Sequence, residues 1–267
     1  MKEEKTHSLT TPTQKPSTKT PQSNLEPLSA VLVTVIVYIL SQVAAAIVIG
    51  LYALAKGLDG DQISALLTES TIAQFIYFLS AGSFVIILLW QFLKLRKIKW
   101  SEIGLTKPTS DNLIMAIPVF AAYFVTLLLV VGLVTQLIPA IDTEQEQQIG
   151  FGGAAGKLAL SMVFISLVIV PAISEEILIR GFLYGGLVKK FSKITAALMA
   201  SLLFGFAHLQ LGLGADPLWV AAIDTFILSM FLIWLREKTG NIYAGMLVHA
   251  AKNTIAFAAL FIFNVNV

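Results

Sequence analysis

Along most of this chain the hydrophobic and polar positions do not alternate with the short period of a strand or with the one-sided stripe of a surface helix. Long, nearly unbroken apolar runs follow one another instead, separated by short polar breaks. A bilayer core of about 30 Å takes roughly 20 helical residues, and seven runs approach or exceed that length. They extend approximately from Ser29 to Ala55, Ile72 to Leu93, Leu113 to Ile138, Leu158 to Val188, Ile194 to Leu209, Leu218 to Leu235 and Ile242 to Phe263. The fourth is overlong and contains Pro171, which predicts a kink or break, and the fifth is short for a full span. An eighth helix has room in either irregularity. The expected fold is therefore all-α, a polytopic transmembrane helical bundle of about seven or eight spans.

Before the first run, residues 1–28 mix Lys, Thr, Pro, Ser and Gln with almost no large apolar side chain, too little apolar surface to offset the entropy of ordering. They read as a disordered tail, with residues 29–267 as the membrane domain. Composition agrees. Only 13% of residues are charged, 57% are hydrophobic and the mean hydropathy is +0.82, where a soluble domain carries roughly a quarter charged residues. A net charge of +2 argues against a nucleic-acid partner, and the lipid bilayer is the partner expected. With no cysteine, disulfides, thiolate catalysis and cysteine metal sites are excluded.

Lys and Arg fall unevenly between the runs. Taking alternate loops from the N-terminal tail, one set holds 14 and the other 2, while Arg180 and Lys252 lie within spans. Cytoplasmic loops are enriched in these residues, so the N-terminus is expected in the cytoplasm and the C-terminus across the membrane, which is read as the plasma membrane.

Spans one to three contain no acidic, basic or histidine residue, whereas spans four to seven hold Glu175, Glu176, Arg180, His208, Asp224, His249 and Lys252. Charge in hydrocarbon is costly and is paired, hydrated or functional, so the C-terminal four spans are expected to hold the site. Glu175 and Glu176 diverge by about 100° around a helix and face different surroundings. Glu176 and Arg180, four apart, can clamp one another along a face, whereas Glu175 has no local partner and is free to act as general base on a water. Phe204 precedes His208 by four residues, as His249 precedes Asn253. Singly, each pair is as compatible with helix packing or an interhelical hydrogen bond as with catalysis. At 1.5 Å per residue from the cytoplasmic ends, Glu175 and His208 lie about 21 Å deep, Asn253 about 16 Å and His249 about 10 Å, so four polar groups from three helices can meet.

These residues resemble the CPBP (CAAX protease and bacteriocin-processing, or Abi) family of intramembrane proteases, related to the CAAX prenyl endopeptidase Rce1. The family's Glu-Glu-x-x-x-Arg, Phe-x-x-x-His and His-x-x-x-Asn motifs match, in order, Glu175, Glu176 and Arg180, then Phe204 and His208, then His249 and Asn253. The resemblance covers about residues 157–259, with Ile179 where the family often has Phe and Ser229 in place of a small Gly. It implies endopeptidase cleavage in the membrane, with a membrane-associated peptide or protein as substrate, either CAAX-type processing of prenylated proteins or peptide and bacteriocin processing. Glu175 and His208 would activate water, His249 and Asn253 would stabilise the oxyanion, and Glu176, Arg180 and Phe204 would support the site. Metal-free catalysis is favoured; zinc held by His208, His249 and Glu175 is the alternative. A non-catalytic scaffold or bacteriocin immunity factor of the same fold remains open, and an ion-coupled transporter less so, because no repeat relates the two halves. Asp224 and Lys252, which the motifs leave unexplained, lie at matching depths and are expected to pair and set the rotation of the last span.

Overall fold

The computed structural model describes residues 25–139, 141, 150–210 and 217–264. The tail expected over residues 1–28 lies outside the described residues as far as residue 24. Among the described residues every regular element is helical. α1 spans Pro27–Lys56, α2 Gly60–Glu69, α3 Thr71–Arg96, α4 Ser110–Leu137, α5 Gly156–Leu187, α6 Lys193–Phe206, α7 Trp219–Thr239 and α8 Tyr243–Ile262. A single 3₁₀ turn, Trp100–Ile103, lies between α3 and α4.

Local chemistry sets the boundaries. Pro27 opens α1 at a position where its missing N–H costs nothing. Ser70 and Ser192 cap α3 and α6 by accepting from the N–H groups of Ala73 and Thr195 at 3.3 and 3.2 Å. α7 ends at Gly240, whose φ of 70° is the left-handed conformation that glycine adopts without a Cβ clash.

Six helices are long and apolar enough to cross a membrane: α1, α3, α4, α5, α7 and α8. The fifth expected span is α6, which at 14 residues measures about 21 Å, short of a full crossing. The further helix expected inside the fourth or fifth run is not there. Residues 156–187 continue as one rod, and the extra element is α2, between the first two spans. Asp59 caps α2 in a reciprocal box with Gln62 at 2.9 and 3.0 Å. Hydropathy alone misses this helix, because it is short and mostly polar.

α5 and α7 form the centre. Half of their most apolar 18-residue windows is buried, against 17% for α4. The α1 residues Leu32, Ile36, Ile39, Val43 and Ile47 are exposed at helical spacing, as are Val125, Leu128, Leu129 and Leu133 of α4. Such surface is stable only against lipid. Gly205 lets α6 approach α7: a Cβ there would lie 2.8 Å from the Ala222 carbonyl.

The chain gathers alternate loops at one end of the bundle. Ile242 N–H donates to the Gly104 carbonyl at 3.1 Å, joining the α3–α4 connection to the α7–α8 turn. Asn112 donates to the Thr239 carbonyl at 3.4 Å. Tyr184, near the end of α5, donates to Glu237 of α7 at 2.9 Å, and Glu237 also pairs with Lys193 at the start of α6. Leu25 and Ala30 pack beside Gly186, which brings the start of α1 to the same end. This is the end rich in Lys and Arg. At the other end Leu218 N–H bonds the Leu209 carbonyl at 2.9 Å, so α6 and α7 form an antiparallel hairpin.

Candidate functional site

α5 carries the acidic pair and is not a uniform α-helix. Two π-helical turns interrupt it, Ile165–Ile169 and Glu176–Leu183, with Val170 and Tyr184 each donating to a carbonyl five residues back. Between them stands Pro171. A proline has no N–H, so it removes the donor that the carbonyl four residues earlier would normally receive. That carbonyl is Leu167 O, and Asn253 of α8 fills the place, donating its side-chain amide at 2.9 Å. The break predicted at Pro171 is thus a local repacking that fastens α5 to α8.

Glu176 and Arg180 form the expected pair at 2.9 Å, both fully buried. Glu176 does more than hold its own helix. The same oxygen, Oε1, lies 2.9 Å from His249 Nδ1. An ionised carboxylate only accepts, so Nδ1 carries the proton and Nε2 is turned the other way. It lies 3.9 Å from Glu175 Oε2, at the edge of ion-pair range. Glu175 itself keeps 32% of its side chain exposed where Glu176 has none, so the two neighbouring carboxylates do face different surroundings.

Phe204 lies among the other motif residues. The Arg180 guanidinium stacks over its ring at 4.3 Å, His208 meets it edge-on at 4.6 Å, and the His249 ring lies 6.5 Å away. Its backbone acts as well: the Phe204 carbonyl accepts from His208 Nδ1 at 2.8 Å. His208 is thereby held in the tautomer whose Nε2 is free to accept.

Asp224 and Lys252 pair at 3.0 Å, as expected, and Asp224 also accepts a hydrogen bond from the Tyr123 hydroxyl of α4. Tyr123 escaped sequence reasoning, because a hydroxyl on an otherwise apolar span carries no charge signal. Arg236 escaped it too. This residue donates to the Arg180 carbonyl and stacks on Tyr184 at 5.1 Å, tying α7 to the π-helical turn.

A cavity of about 260 Å³ unites the expected catalytic residues. Glu175, His208, His249 and Asn253 all line it, with Lys252 and Asp224 in the same wall. Phe78, Leu167, Phe257 and Leu260 supply apolar surface. Glu176 and Arg180 are not in its lining; they stand behind His249. Both histidines commit Nδ1 to protein acceptors, which leaves Nε2 as the nitrogen open to a ligand. Among the described residues no three His, Asp or Glu side chains are grouped so as to hold a metal ion, so the zinc set of His208, His249 and Glu175 is not brought together as arranged.

Comparison with known proteins finds similarity over the second half of the chain. Residues 157–255 match the family model described as type II CAAX prenyl endopeptidase Rce1-like. The chain is also 29% identical over 139 residues to the UPF0177 protein YxdF of Lactococcus lactis subsp. lactis (strain IL1403), across 52% of this chain and 68% of that protein. That relative belongs to the CPBP family. No solved structure matches the chain significantly. The matched segment contains all three motifs, α6, α7 and most of α5 and α8, so residues 157–255 of this polytopic helical membrane protein are similar to the Rce1-like family, as the motifs lead one to expect.

Proposed function

We propose that this protein is an intramembrane endopeptidase that hydrolyses a peptide bond with a water activated by Glu175 and His208. The observation that carries the reading is one cavity lined by Glu175, His208, His249 and Asn253 together. Glu175 accepts a proton from the water while His208, through its free Nε2, orients it. The hydroxide attacks the carbonyl carbon, forming the tetrahedral intermediate. Its oxyanion is stabilised by His249 Nε2–H and by the second N–H of the Asn253 amide, the first being committed to Leu167. For Nε2 to donate, His249 carries both ring protons, a charge that Glu176 at Nδ1 compensates while Glu175 holds the proton taken from water. Collapse of the intermediate breaks the C–N bond, and the proton held by Glu175 goes to the leaving nitrogen.

The site works in the membrane interior without a metal ion. The protein resides in the plasma membrane with its Lys- and Arg-rich loops in the cytoplasm. Its substrate is a membrane-associated peptide or protein, either a prenylated C-terminus of the CAAX type or a peptide precursor of the bacteriocin kind. The test is peptide cleavage by purified protein in detergent, using a library of labelled peptides. Turnover by the parent, with loss of at least about 100-fold in Glu175→Gln and an unchanged unfolding midpoint, supports the reading. Equal turnover by the two proteins removes Glu175 from the mechanism, and absence of turnover by the folded parent makes the protein a scaffold or immunity factor.

A further inference from the structure

The wide turn Glu176–Leu183 leaves a gap in the hydrogen bonding of α5. Tyr184 N–H donates to the Ile179 carbonyl, five residues back, whereas Val188 N–H donates to the Tyr184 carbonyl, four back. Where bonding returns from the π-helical to the α-helical pattern, one carbonyl is passed over and loses its helical donor. The Arg180 carbonyl, next after Ile179, takes a donor from outside the helix, the Arg236 guanidinium of α7. Asn253 of α8 does the same for the Leu167 carbonyl near the first π-helical turn. Each irregularity of α5 is thus closed by a side chain from a neighbouring helix.

Arg236 is fixed for this task from several sides. Its guanidinium lies over the Tyr184 ring at 5.1 Å, and Tyr184 donates to the neighbouring Glu237 at 2.9 Å. Two glycines make room for it: a Cβ at Gly185 would lie 3.0 Å from Arg236 Nη2, and one at Gly104 3.4 Å from Nε. Arg180, whose backbone Arg236 holds, reaches Glu176 with its side chain at 2.9 Å, and Glu176 holds His249 Nδ1 at 2.9 Å. Contacts therefore run unbroken from Arg236 to His249, although Arg236 does not line the cavity.

We infer that Arg236 is a positioning residue for the peptidase reaction: by holding open the wide turn of α5 it sets Arg180 and Glu176, and through them aims His249 Nε2 at the reacting carbonyl. A buried carbonyl without a donor is costly, so removing the guanidinium favours closing the turn, which rotates Arg180 relative to Glu176. The inference rests on the peptidase reading for its effect on turnover, but not for its effect on His249.

Two readouts on purified protein in detergent test it. Arg236→Met is expected to lose about 10-fold or more in kcat on a cleavable labelled peptide, with KM within about 2-fold of the parent, because Arg236 lies outside the cavity wall where the peptide binds. The chain has three histidines, so isotopic labelling of histidine resolves His249 by nuclear magnetic resonance. Its Nδ1 resonance is expected to move in Arg236→Met while that of His208 stays in place. An unchanged kcat in the folded variant, a loss carried by KM, or a His249 resonance that does not move each overturns the inference; a merely structural role predicts a lower unfolding midpoint and none of the rest. Gly185→Ala is the second variant. It crowds the guanidinium away from the Arg180 carbonyl although alanine favours a helix over glycine, and it is expected to lower kcat and move the His249 resonance in the same sense. If Arg236→Met does not fold, an unchanged kcat or His249 resonance in Gly185→Ala overturns the inference. A parent that cleaves nothing refutes the peptidase reading, and the His249 resonance alone then decides whether Arg236 positions it.

Discussion

Adjacent residues in one turn of α5 do opposite work. Glu175 borders the cavity, while Glu176 joins Arg180 and His249 with one oxygen. Removing one member of a buried charge network strands the rest, at about 3–5 kcal/mol. Glu176→Gln is therefore expected to lower stability by roughly that much, seen as a reduced unfolding midpoint in detergent, and to release His249 so that turnover falls as well. Glu175→Gln should leave the midpoint within about 0.5 kcal/mol of the parent, as changes outside such networks do. A midpoint that falls equally in both variants would return Glu175 to a structural role. Metal dependence can be tested at the same scale. With no three His, Asp or Glu side chains grouped to hold a metal ion among the described residues, peptidase activity is expected to survive exhaustive chelation, with well under one zinc per chain by elemental analysis. Stoichiometric zinc with zinc-dependent recovery would make His208 and His249 ligands.

At the scale of elements, the question is what holds α8 at the rotation that aims His249 inward. Three ties are visible: Asn253 to the carbonyl that Pro171 leaves without its usual donor, His249 to Glu176, and Lys252 to Asp224, itself held by Tyr123. Together they bind α8 to α5, α7 and, through Tyr123, α4. Asp224→Asn and Lys252→Met are each expected to lower thermal stability, and the double variant to recover much of the loss, because removing both charges leaves neither unpaired. Strictly additive losses would mean that the two charges contribute independently. Tyr123→Phe should cost about 1–3 kcal/mol through the lost hydrogen bond to a charged acceptor. Gly205 matters for a different reason. A larger side chain there meets the Ala222 carbonyl and forces α6 from α7, so Gly205→Val is expected to destabilise by about 1–3 kcal/mol and to displace His208, measurable as lost turnover together with a lowered midpoint.

The whole molecule is built in two functional halves of unequal polarity. α1, α3 and α4 present apolar surface outward, while α5 to α8 bring the charged groups inward, where each meets a partner or the cavity. Carrying those charges in the membrane is tolerable because they are paired to one another and hydrogen-bonded across helices. Orientation belongs to this scale too. A reporter fused at the N-terminus is expected to be active only in the cytoplasm, and one fused after residue 264 only beyond the membrane. Reporters that find both termini on one side would require an even number of crossings and would show that α6 does not carry the chain across.

The sequence by itself determined the class of the fold and the motif residues that line one cavity. Apolar run length is a one-dimensional property, so the seven runs were legible. So were the three motifs, since their four-residue spacing is fixed by the helix itself. The clamp between Glu176 and Arg180 was legible for the same reason. The partners contributed across helices were not, with one exception: the Asp224–Lys252 pair, which matching depth on neighbouring spans revealed. That Glu176 holds His249, that Arg180 lies on Phe204 and that Asn253 answers the Leu167 carbonyl depend on helix rotation, and no spacing along the chain encodes the rotation of one helix relative to another. The π-helical turns of α5 shift its later faces relative to a regular helix, which places them beyond a 3.6-residue reading. Nor was the closing of one end of the bundle legible, where the α3–α4 connection folds back to bury Ile103 against α5, a long-range packing choice that only the tertiary structure makes.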